Sequence, residues 1–108
     1  MTQLKYNSDV LVLLKMYGKR VRLARVRRRW TQAGLSERMN VERRTVVRLE
    51  QGDPGVGMGV FIHALSVLDL LASARNVADP AADAIGIFME KQHAPKRVRL
   101  SKEESLDF

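Results

Sequence analysis

The chain has no cysteine. That excludes a disulfide framework and a thiolate metal site, and it is compatible with a reducing cytoplasm. No apolar run approaches the roughly 20 residues that span a bilayer, so no membrane segment is expected. The opening MTQLKYNSD is not laid out as a signal peptide, since the apolar run 10–14 is too short, and the expected location is cytoplasmic. The two histidines, His63 and His93, stand apart, and the acidic residues form no paired constellation on a common element. An enzyme is therefore not expected: no catalytic residue, no metal and no cofactor is assigned. Gly55, Gly57 and Gly59 imitate a nucleotide-binding loop, but no strand precedes them and no Lys-Ser/Thr follows.

What is present is positive charge, unevenly placed. The chain is 108 residues long with a formal net charge of +7. Residues 1–50 carry 13 Lys and Arg against 4 Asp and Glu, whereas residues 51–108 carry 6 against 8. A basic first half and a mildly acidic second half suggest two surfaces with two kinds of partner, nucleic acid being the natural one for the first. The length supports one modest core and a tail.

The most informative stretch is residues 31–52, TQAGLSERMNVERRTVVRLEQG. Leu35 and Met39 are four apart and Val46 and Leu49 three apart, which gives each of two short segments an apolar stripe at helical spacing. Thr31 suits the N-cap of the first. Asn40 tolerates the left-handed turn between them, and Val41 is expected to drop back between the helices. Ser36 is small where the helices pass closely. Glu42 opens the second helix at the positive end of its macrodipole. With Val46 and Leu49 turned inward, Arg44 and Arg48 stack on the outer face with Arg43 beside them. Cations in that arrangement suit the major groove, where Arg bonds guanine through two N–H groups.

Around this stretch, a long amphipathic helix is predicted over residues 9–29, with Ser8 as N-cap and Val10, Leu14, Tyr17, Val21 and Ala24 as its stripe. Gly18 weakens its middle, and Trp30 closes it as a plug under the two short helices. The basic residues on its other faces, Arg28 among them, are divided between solvent and phosphates flanking the groove. Gly52-Asp53-Pro54-Gly55 ends the third helix. A fourth runs over residues 58–68 with Phe61, Ala64, Leu65 and Leu68 inward, and small residues before it, Gly57 included, let its N-terminus approach a DNA phosphate. After an apolar connector, 70–78, Asp79-Pro80 starts a fifth helix, with Asp79 as N-cap. Its apolar face, Ala82, Ile85, Phe88 and Met89, either completes the core or forms a two-fold dimer contact. Residues 96–100 alternate as a short strand at best, and the tail SKEESLDF is either solvated or orders on a partner.

The stretch 31–52 resembles the helix-turn-helix of the Xre family, the lambdoid phage repressor type. The longer run through GDPGVGMGVFIHALSVLDL, ADPAADAIGI and PKRVR resembles HipB-type antitoxins. Asn40 departs from that pattern, which most often has Gly at the turn. The resemblance implies an all-α, five-helix Xre/lambda-repressor-like domain over residues 8–72. Residues 73–108 then serve dimerisation or partner docking. It implies base-reading by Arg43, Arg44, Thr45 and Arg48, phosphate contacts from Thr31, Gln32, Arg28 and Gly57, and an ion pair between Arg25 and Glu50. The implied function is that of a repressor: a homodimer on a palindromic double-stranded operator that controls its own operon and neutralises a HipA-like Ser/Thr kinase toxin. The alternative is a stand-alone phage-type repressor without a toxin.

Overall fold

The computed structural model describes residues 6–93. They form five α-helices: α1 (Ser8–Arg27), α2 (Gln32–Met39), α3 (Arg43–Glu50), α4 (Met58–Val67) and α5 (Ala84–His93), with 3-10 turns at Leu71–Ala74 and Pro80–Ala82. No strand occurs among the described residues. The predicted strand at 96–100 and the tail lie outside them. No described helix is long and apolar enough to cross a membrane. The described residues divide into two compact units, with the boundary between Arg75 and Asn76.

In the first unit, the core is made by the residues whose spacing marked them: Val21 and Ala24 of α1, Leu35 and Met39 of α2, Val46 and Leu49 of α3, and Ala64 and Leu68 around α4. Trp30, Val41 and Phe61 pack against this cluster from its edge. The upper half of the α1 stripe is looser. Val10 is exposed and Leu14 half-buried, and burial begins in earnest one turn before Val21. Tyr17 stacks on Phe61 with ring centroids 5.4 Å apart, which ties α1 to α4.

Gly18 does not break α1. It is buried because α3 ends against it: a Cβ there would lie 2.5 Å from the Glu50 carbonyl oxygen and 2.8 Å from the Gly52 nitrogen. The glycine serves a backbone-to-backbone crossing.

The helix stops share one geometry. After α1, α2, α3 and α4 come Arg29, Asn40, Gly52 and Asp69, each with φ between 58° and 73°. In each case this left-handed residue donates three positions back and the next residue five back, as in Asn40 N–H to Glu37 O (3.1 Å) and Val41 N–H to Ser36 O (3.0 Å). This is the Schellman arrangement, and three of the four use a residue with a side chain.

Two helix starts differ from the sequence expectation. The N-cap of α1 is Asn7, whose Oδ1 accepts from Val10 N–H at 2.9 Å, and α1 ends at Arg27 rather than Arg29. In the second unit, Asp79 does accept from Ala81 N–H at 2.9 Å, but Asp79-Pro80 begins only a 3-10 turn. Asp83 starts α5, its Oδ1 accepting from Gly86 N–H at 2.9 Å. Ala82 therefore lies outside α5. No residue of α5 is buried; Ile85 and Phe88 are 74% and 60% exposed.

Candidate nucleic-acid interface

The α2–turn–α3 unit is held from its inner side by an ion pair. Arg25 Nε donates to Glu50 Oε2 at 2.6 Å and Nη2 to Glu50 Oε1 at 3.0 Å, a bidentate pair. Both side chains are buried, at 10% and 3% exposure. Arg25 Nη1 also donates to Trp30 O at 2.8 Å, so one guanidinium fixes the α1 stop and the end of α3 together. The Glu50 hydrogen bond, opposed by burial and helped by the carboxylate charge, holds the Arg25 proton more tightly than usual. The residues read from the resemblance as an ion pair are brought together.

Gln32 belongs to the same network: its Nε2 donates to Glu50 Oε1 at 3.2 Å. Thr31 Oγ1 accepts from Gly34 N–H at 2.9 Å and caps α2, as its residue type suggests. Arg28 donates from Nη1 to Ala24 O and from Nη2 to Leu68 O, each at 2.7 Å, so it closes the C-terminal end of α4 from α1. His63, on α4, lies 3.0 Å by Nε2 from Met39 O and so meets the end of α2. Arg38 lies over the Trp30 ring, 4.0 Å from its centroid.

The outer side of α3 differs in kind. Val46, Leu49 and Glu50 are turned inward and buried, while Arg43, Arg44 and Arg48 are exposed and Thr45 is half-buried. Arg44 approaches Glu42 at 3.5 Å with both side chains more than three-quarters exposed, a pair of little consequence. Arg48 Nε donates to Asp53 Oδ2 at 2.7 Å. That hydrogen bond, followed by the one Asp53 accepts from Gly55 N–H, holds the Asp53 carboxyl below its ordinary pKa. Gly57 precedes α4 as its N-cap; it is exposed, and nothing lies within 4 Å of where its Cβ would be. The α3 arginines thus share one exposed face, whereas Gln32 and Arg28 are bonded into the scaffold.

Asp53 was not singled out by sequence reasoning as a site residue. The available signal was its place in Asp-Pro-Gly, five residues after Arg48, where a turn carries a carboxylate back beside the helix it ends. Among the described residues, no group of three or more His, Asp or Glu side chains is placed to hold a metal ion. Comparison of the chain with protein-family models, curated proteins and solved structures returned no match.

Proposed function

We propose that this protein is a sequence-specific duplex-DNA-binding regulator with an Xre/lambda-repressor-like fold, in which α3 enters the major groove. The observation that carries the reading is the outer face of α3. Arg43, Arg44 and Arg48 are exposed together on a short helix whose other side is fixed by core residues and a buried ion pair. Arginine N–H groups so placed match the acceptor pair of guanine, and a helix held from behind gives them a defined direction. Thr45 lies on the same helix and joins them as a base contact. Thr31 and the N-terminus of α4 at Gly57 meet phosphates, joined by the N–H groups that Gln32 and Arg28 keep beyond their bonds to Glu50, Ala24 and Leu68. The protein acts as a homodimeric repressor on a palindromic operator, because two half-sites about one helical turn apart require two copies.

The finer assignment is to a HipB-like antitoxin that represses its own operon and binds a HipA-like Ser/Thr kinase. It rests on the resemblance quoted above. The exposed apolar side chains of α5, which offer a surface for a protein partner, support it. Selection from random duplex DNA tests the first reading: Arg44→Ala should change the enriched motif at one base pair in each half-site. An unchanged motif would remove α3 as the reader. Co-purification with the product of a neighbouring kinase-like gene tests the second. A chain stopped after Pro95 should lose that partner or weaken its dimer.

A further inference from the structure

A free arginine on a helix surface samples many rotamers and serves base edges and phosphates alike. Arg48 is not free. Its Nε is occupied by Asp53 Oδ2 at 2.7 Å, and the other carboxylate oxygen is fixed by Gly55 N–H at 2.8 Å. The turn is tied back to the same residue, Asp53 N–H donating to Arg48 O at 3.1 Å. Gly55 completes the clamp by having no side chain: a Cβ there would fall 2.8 Å from Arg48 Nη2 and 3.2 Å from Asp53 Oδ1. Arg48 and Asp53 are still 44% and 34% exposed, so the guanidinium is held but remains accessible.

Two consequences follow from this geometry. With Nε taken, the guanidinium can present two parallel N–H groups only from its Nη end, which selects one approach to the O6 and N7 acceptors of guanine. The adjacent carboxylate also opposes the attraction of Arg48 to a phosphate. We infer that Asp53 is a positioning residue for Arg48 and thereby a determinant of base specificity, turning a phosphate-seeking cation into a directed base reader. This rests on the reading of α3 as the base-reading helix.

The full-length chain is compared with Arg48→Ala, Asp53→Asn, Gly55→Ala and the double Arg48→Ala/Asp53→Asn variant. Each undergoes selection from random duplex DNA, operator titration at several salt concentrations and a thermal melt to verify folding. The base pair read by Arg48 is the one whose preference disappears in Arg48→Ala. Asp53→Asn should lose about tenfold in preference at that pair alone. Its affinity for unrelated DNA should rise, with a log–log salt slope steeper by about 0.9, because Arg48 becomes free to neutralise a phosphate. Gly55→Ala changes no charge, so it should lose preference at the same pair with the salt slope unchanged. The double variant should select the same motif as Arg48→Ala. Folded Asp53→Asn and Gly55→Ala chains that both keep the wild-type motif would overturn the clamp while leaving α3 as the reader. A wild-type chain that enriches no motif would overturn the base-reading assignment and the clamp with it.

Discussion

The two sides of α3 carry the same chemical device in different surroundings. On the inner side Arg25 and Glu50 meet at 2.6 Å, and on the outer side Arg48 and Asp53 meet at 2.7 Å. The distances are nearly equal, but the inner pair is at most one-tenth exposed and the outer pair a third to nearly a half. Burial therefore decides what each pair does. Inside, neither charge can regain water, so separating them is costly and the pair acts as a fixed joint between α1 and α3. Outside, water screens both groups, the pair adds little to stability, and what it supplies is direction. One arginine belongs to the scaffold and the other to the exposed outer face of α3.

Removing half of each pair sharpens this contrast, and the inner side should show the largest effect. Glu50→Ala leaves the Arg25 cation buried beside Trp30 O and takes the acceptor from Gln32 as well. The expected loss is about 3 kcal/mol in denaturant unfolding. Adding Arg25→Ala should recover part of it, because the stranded charge is then gone. Strict additivity of the two changes would show that the residues do not act as a pair.

Next comes the crossing that lets the inner pair form. Gly18→Ala places a Cβ against the backbone of Glu50 and Gly52, which cannot swing aside as a side chain would. A loss of about 1–3 kcal/mol is expected. Arg28→Ala, removing charged hydrogen bonds to Ala24 O and Leu68 O, should lower stability by about 1–2 kcal/mol. A melting temperature unchanged in Gly18→Ala would mean that α3 can withdraw from α1 at little cost.

Much of this was legible in the sequence because helical spacing selects a face whatever the neighbours are. Leu35, Met39, Val46, Leu49, Ala64 and Leu68 all lie in the core where their periodicity put them. Helix ends were less legible. Arg29 takes the left-handed stop although its residue type gives no sign of it, and Asp69 does so where Asp, unlike Gly, is only a weak signal. Asn7 and Ser8 are both good caps one residue apart, and Asp79-Pro80 has the form of a helix start yet makes only a 3-10 turn. At the site, the outward direction of Arg43, Arg44 and Arg48 followed from the inward direction of Val46 and Leu49. What the remaining polar side chains bond to did not follow. Arg28 meets a carbonyl 40 positions away and Gln32 a carboxylate 18 away, contacts that only the folded chain brings about.

The smallest stability effect is expected on the outer side, and it has a definite pH sign. Arg48, and then Gly55 N–H, hold the Asp53 carboxyl below its ordinary pKa in the folded chain. A carboxyl depressed on folding contributes stability that is complete above its unfolded pKa and is lost as pH falls through its folded one. Because the pair is partly exposed, its whole contribution should stay below about 1 kcal/mol, and added salt should reduce it further. Asp53→Asn should therefore unfold within that margin of the wild type near neutral pH, and the two should converge in the acid range below the ordinary carboxylate pKa. Denaturant midpoints measured across that range decide the matter. A loss at neutral pH comparable to that of Glu50→Ala would make Asp53 a structural joint like Glu50, and the difference between the two sides of α3 would disappear. A small loss combined with an altered DNA motif would support the proposed role of Asp53 in positioning Arg48.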